Sequence, residues 1–290
     1  MSIMATRGRR SCLTDLMRNI SYEVTPFRGT ERAVLAHVPT PVPLTVTVTQ
    51  ARGMDATIGL AERLLGHGYA VAPHLPARLF VAMSQVEDVL GRLRAAGGRS
   101  VFVIAGDMPR PAGPFADAYS LLEAMHTLGD SFDDVGIAGY PEGHANIPQE
   151  AIDLALKQKA PMATHVITQI CFHAGTTASW AERIAAAGID LPVRVGIPGP
   201  VNRQKLVRIS AGLGLGQSAR FLRNQHHLLW RFVLPGAYRP TRLARRLGAT
   251  VPKVASNIRG LHIFTFNELR GTELWRRRTL AALSEQDDQP

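Results

Sequence analysis

Cysteine is scarce: among 290 residues only Cys12 and Cys171 occur. Two thiols so far apart in sequence build neither a disulfide framework nor a zinc motif, and they fit a reducing cytosol. Lysine is nearly as rare, at positions 157, 159, 205 and 253, so the formal net charge of +10 is carried by arginine. The positive charge is spread along the chain and has no interleaved aromatic platforms, which argues against a nucleic-acid binder. It suits anionic small molecules instead. No apolar run approaches the roughly 20 residues of a membrane span. No apolar core follows the basic start, Met1 to Arg10, so no secretory signal is read there.

Other absences narrow the chemistry. No glycine fingerprint for a dinucleotide phosphate follows the first strand-like segment. No serine or cysteine stands beside a patterned base, and Cys171 reads as a small buried residue. No metal-ligand spacing is present, although His74, Asp107 and His144 are of ligating type.

What is present is a repeated grammar. Short apolar, β-branched runs end in a polar residue beside Gly or Pro. They cover residues 19–24, 44–50, 69–75, 100–107, 135–140, 164–171, 193–197 and 261–266. Amphipathic helical patterns separate them, including Asp55–Leu65, Ser84–Ala95, Phe115–Leu128, Gln149–Lys159 and Thr177–Ala187. Ser84, with Glu87 three residues on, reads as a helix cap. Eight strands alternating with helices predict an α/β fold, a single (β/α)8 TIM barrel over 15–284. A loose basic tail is expected over 1–14 and an acidic one over 285–290. Between the seventh and eighth strands an extra helical insertion is expected, holding Gly212–Gly216 and the Arg/His-rich stretch 218–246.

Such barrels react at the carboxyl ends of their strands. Those ends supply Glu23, Thr47, Thr49, Gln50, His74, Asp107, Tyr140, Glu142, His144 and Gln169. Each also has a structural reading. His74 can be a satisfied core histidine, Asp107 an Asx-turn, and Glu142 the cap of the helix near Pro148. His226-His227 reads as a packing face. The Gly212–Gly216 run is a joint or, with Arg220, a phosphate nest.

Four stretches carry a resemblance: Ile-Ala-Gly-Asp107, Ala-Gly-Tyr140-Pro-Glu-Gly-His144, Val-Ile-Thr-Gln169-Ile-Cys-Phe and His262-Ile-Phe-Thr-Phe-Asn267. Ser-Tyr-Glu23-Val-Thr-Pro and Ala-Pro-His74-Leu add to it. In order and spacing they resemble methylenetetrahydrofolate reductases, from about residue 18 to 280. The resemblance implies reduction of 5,10-methylenetetrahydrofolate to 5-methyltetrahydrofolate by a hydride from NADH or NADPH. It makes Glu23 the general acid, Asp107 the carboxylate that binds pterin and steadies the cation, and Gln169 the pterin-binding amide. Thr49 and Gln50 join the substrate set. His74, Tyr140, Glu142, His144, Lys159 and Ala105 fall at cofactor positions.

Family members relay hydride through FAD. Where their fourth strand carries an arginine for the flavin phosphates, this chain has Ala105. Of the helix contacts to the flavin diphosphate only Leu-Lys-Gln-Lys159 remains, and one residue is missing before Gln169. The chain therefore resembles the flavin-independent branch of actinobacteria, in which nicotinamide, with NADH favoured, reduces the folate directly. An ordinary FAD-dependent reductase and a folate-binding methyl-transfer barrel are the alternatives. Arg203, Lys205 and the 212–220 segment are candidates for the dinucleotide.

Overall fold

A computed structural model describes residues 12–49, 51–129, 132–144, 147–201, 240–251 and 257–287. Eight parallel strands close into a barrel in chain order, each hydrogen-bonded to the next. They are β1 (Ile20–Val24), β2 (Leu44–Val46), β3 (Val71–Pro76), β4 (Ser100–Ile104), β5 (Asp134–Gly139), β6 (His165–Thr168), β7 (Val193–Pro198) and β8 (Ile258–Phe264). The helices are α1 (12–18), α2 (Thr30–His37), α3 (Gly53–Gly66), α4 (Met83–Ala95), α5 (Ala118–Thr127), α6 (Gln149–Lys159), α7 (Ala174–Ala186), α8 (Pro240–Thr250) and α9 (Leu269–Asp287).

The expected barrel is therefore observed, with some bounds moved. Residues 12–18 are helical and bury Leu13, Leu16 and Met17, so ordered structure begins before the expected boundary at 14. At the other end α9 runs to Asp287, past the expected boundary at 284. The second strand is shorter than its β-branched run, stopping at Val46. Ser84 is not a cap: α4 begins at Met83 behind Ala82, with no side-chain cap. Instead Gln85 folds back to accept from the backbone N–H of Val81 at 2.8 Å. In the expected insertion, α8 is described, whereas Gly212–Gly216, Arg203, Lys205, Arg220 and His226-His227 lie outside the described residues.

The chain divides into two compact units. One comprises 21–139 and 148–167. Its core holds Tyr22, Leu44, Ile58, Leu64, Leu75, Phe80, Leu90, Leu93 and Leu121, all essentially sealed from solvent. Burying each such side chain contributes roughly 1.5–3 kcal/mol. Strand periodicity sorts the rest: on β1, Tyr22 and Val24 point one way, while Ser21 and Glu23 point the other. Along β1, β2 and β3 the residues Glu23, Thr45 and Ala72 stand in register. The other unit comprises 1–20, 140–147 and 168–290. Its described core includes Met17, Ile20, Trp180, Val195, Ile197, Leu243, Leu247 and Ile263.

Candidate active site

In the first unit, β1 and β3 bring two ionisable side chains together. Glu23 Oε2 lies 3.8 Å from His74 Nε2, and both side chains are largely buried. The spacing follows from register. Ala72 and His74 share one face of β3, and Ala72 is level with Glu23 across the short side chain of Thr45. Burial pushes the Glu23 carboxyl up to about 8 and the His74 imidazole down to about 3. Each group is thereby held neutral near pH 7, because charge without solvent is costly. The His74 ring packs on Phe102 at 4.8 Å between centroids, tilted 51°. Phe102 belongs to an apolar cluster with Ala72 and Ile167, flanked by Ile104 and Ala138. His74 is thus not the satisfied core histidine of the structural reading: its buried Nε2 has no hydrogen-bond partner.

The end of β4 turns at once. Gly106 adopts φ +86°, and a side chain there would strike Pro76 at 2.8 Å. That turn presents Asp107 at the surface. Arg78 holds the loop behind it. The Arg78 backbone N–H donates to the Ala105 carbonyl, and its guanidinium donates to the carbonyls of Met108 at 3.0 Å and Ala116 at 2.7 Å. Sequence reasoning overlooked Arg78. A cation two residues past a strand-ending proline was the available signal.

Lys159, at the end of α6, is buried, and loss of solvent lowers its ammonium to about 8, partly offset by Asp117. Thr49 lies in the turn before α3, its carbonyl accepting from Arg52 and Gly53. Its hydroxyl is buried without a hydrogen-bond partner. Gln50 lies outside the described residues.

The second unit holds the remaining candidates. Tyr140 and His144 form an edge-to-face pair, 5.4 Å apart and 87° between planes. Between them Glu142 accepts from the backbone N–H groups of Phe172 and His173, at 2.7 and 2.8 Å. It therefore ties down the two residues that lead into α7, and does not cap the helix at Gln149 as the sequence suggested. A carboxylate accepting two backbone N–H groups just ahead of a helix N-terminus is a favourable arrangement. Glu142→Ala is expected to cost about 1–3 kcal/mol of stability, the cost of leaving such donors unpaired, readable as a lowered denaturation midpoint, with Glu142→Gln losing less.

Gln169 turns its Oε1 back to the N–H of Ile170 at 2.8 Å. That leaves its amide N–H groups as the available donors. Thr168 steadies this strand end, accepting from Gly196 N at 2.8 Å and donating to the Gln169 carbonyl. Cys171 is sealed in, its thiol pushed up to about 12 chiefly by burial, so it is inert as expected. After β8 the chain bends through Phe266 and Asn267, both at positive φ (50° and 59°). Among the described residues no group of three His, Cys, Asp or Glu side chains gathers to hold a metal. No helix among them is long and apolar enough to cross a membrane.

Fold and site together define a (β/α)8 barrel with a buried, protonated carboxyl on its first strand. Comparison with known proteins specifies it further. The methylenetetrahydrofolate reductase family model matches residues 13–214. The chain belongs to that family. It is 32% identical over 127 residues to methylenetetrahydrofolate reductase 2 of Saccharomyces cerevisiae, covering 40% of this chain and 21% of that protein. It is 30% identical over 133 residues to the 5,10-methylenetetrahydrofolate reductase of Pectobacterium carotovorum, covering 45% and 44%. The matched stretch thus spans less than half of either relative. Among solved structures, a Clostridium thermocellum protein that binds two copies of 5-methyl-5,6,7,8-tetrahydrofolic acid shares the fold, with TM-score 0.57 and 12% identity over 92% of this chain and 94% of that one.

Proposed function

We propose that the protein reduces 5,10-methylenetetrahydrofolate to 5-methyltetrahydrofolate with a hydride taken directly from NADH or NADPH, without a resident flavin. The observation that carries the reading is the Glu23 carboxyl, kept protonated by burial in a chain of this family. Opening the five-membered ring of the substrate requires a proton on N10 at neutral pH. An exposed glutamate has already lost its proton there; a buried one has not.

In this reading Glu23 protonates N10. The methylene C–N10 bond breaks and its electron pair stays on N10, leaving an iminium at N5. Asp107, at the surface end of β4, supplies the opposing negative charge. Gln169 offers its amide N–H groups to pterin acceptors. The hydride adds to the methylene carbon and yields the methyl group.

The donor set speaks for direct transfer. Ala105 has no side-chain donor for a flavin diphosphate. The nearby Arg78 guanidinium commits Nε and Nη1 to two backbone carbonyls, which ties it to the loop. Lys159 is 8% exposed and its charge is weakened by burial. A diphosphate clamp needs charge-assisted bonds worth about 1.5–3 kcal/mol each, and these residues supply few.

The test is the visible spectrum of the purified protein, followed by turnover with 4-deuterated NADH. A colourless protein that places the label in the product methyl group, with kinetics requiring both substrates together, is expected. A yellow protein with tightly held flavin and ping-pong kinetics points instead to the ordinary flavin-dependent reaction.

A further inference from the structure

His74 combines features that rarely coexist. Its ring is buried and its Nε2 has no hydrogen-bond partner. Buried polar atoms are usually paired, and an unpaired one costs stability. Its plane is held against Phe102. The same Nε2 lies 3.8 Å from Glu23 Oε2, just beyond hydrogen-bonding range. A shift of the carboxyl by about 1 Å would close the gap to a normal bond. Thr45 of β2 and Ala72 of β3 stand level with Glu23 and do not titrate, whereas His74, two residues on along β3, does.

We infer that His74 is a positioning residue for the Glu23 proton: its Nε2–H closes onto the Glu23 carboxylate as the carboxyl proton leaves for the substrate nitrogen. This rests on the reading above, in which Glu23 protonates N10. The proton passes from the Glu23 oxygen to N10, the methylene C–N10 bond breaks onto nitrogen, and Nε2 keeps its own hydrogen. Glu23 regains a proton from solvent before the next turnover. A hydrogen bond to a carboxylate is roughly twice as strong as one to a neutral acceptor. The contact therefore strengthens as charge develops, which favours the transition state over the bound substrate. The role requires the tautomer with hydrogen on Nε2. A bare Nε2 would hold the carboxyl proton back. A neutral ring is also required, since an imidazolium would strip Glu23 of its proton in the resting state, and burial keeps the ring neutral.

The test compares His74→Leu, which removes the donor, with His74→Gln, whose amide nitrogen reaches close to the place of Nε2. In His74→Leu, kcat is expected to fall about 10- to 100-fold, the loss of one hydrogen bond to a charged group, with KM for the folate little changed. The basic limb of the kcat–pH profile should move up by about one pH unit. His74→Gln should recover most of the rate and return the limb. Carbon NMR of the Glu23 carboxyl in the ligand-free protein gives a readout without turnover: its titration midpoint should rise in His74→Leu and stay in place in His74→Gln. An unchanged midpoint overturns the inference, as does a loss confined to KM for NAD(P)H. Should the wild-type protein not oxidise NAD(P)H with the folate, the reductase reading fails, while the NMR titration still decides the coupling of His74 to Glu23. If His74→Leu does not fold, His74→Asn, too short to reach Glu23, takes its place.

Discussion

Glu23→Gln is expected to abolish most turnover and at the same time to stabilise the protein. The amide keeps the shape and the hydrogen-bonding edge of the carboxyl but has no proton to give. Loss of a positioned general acid lowers the rate by about 10²–10⁴-fold, while folate binding, followed by fluorescence or calorimetry, should persist. In the wild-type protein the rate should hold below the Glu23 pKa and fall as pH rises through about 8. The stability effect has the opposite origin. In the folded chain Glu23 titrates near 8 against 4.5 for an ordinary glutamate. Between those values the folded state retains a proton that the unfolded state has released. Glu23's contribution to stability is therefore most favourable below pH 4.5 and declines as pH rises toward 8. Above that, a buried carboxylate burdens the fold by an amount on the order of a few kcal/mol. Glutamine carries no such burden. The denaturation midpoint of Glu23→Gln should exceed that of the wild type at pH 8.5, and the gap should shrink at pH 5.5. Full turnover in this variant would remove Glu23 from the mechanism, and an unchanged gap would remove burial as the cause of its raised pKa.

Gly196→Ala is expected to be strongly destabilising. A Cβ on Gly196 would meet the Thr168 carbonyl oxygen at 2.3 Å, the Phe264 ring at 2.7 Å and the Gln169 carbonyl oxygen at 3.0 Å. Two of these are backbone atoms, which cannot rotate away. Gly196 also donates its N–H to the Thr168 hydroxyl and accepts from Cys171 N. The strand end that presents Gln169 is thus pressed directly onto β7. Overpacking there should cost about 3 kcal/mol or more, a fall in midpoint of roughly 6–12 °C. Survivors should also bind folate more weakly, because Gln169 is displaced. Gly175→Ala is the control. Nothing lies within 4 Å of a methyl group there, and helical alanine is favoured over glycine by about 0.5–1 kcal/mol. Thermal melts of both variants decide the point. Equal midpoints would mean that Gly196 does not lie as close to Thr168 and Gln169 as these distances require.

Strand runs, helix periods and the barrel they imply were legible because they depend on local patterns of apolar residues. Glu23 was legible as a polar residue near the end of β1, and its role as an acid only through the family resemblance. Pairing was not legible. Glu23 and His74 are 51 positions apart in sequence, and only strand register brings their tips within 3.8 Å. Glu142 was placed in the site by its motif, but its partners are backbone N–H groups thirty residues on. Backbone donors leave no trace in residue identity. Arg78 was invisible for the same reason: it acts on carbonyls that any residue would provide.

The chain's composition and order thus dictated a (β/α)8 barrel, its strand-end polar residues and the absence of an arginine at Ala105. Protonation was decided by tertiary structure. A glutamate in sequence is an anion with an ordinary pKa; enclosed beside a neutral imidazole and an apolar cluster, it becomes an acid at pH 7, because burial removes the solvent its charge would need.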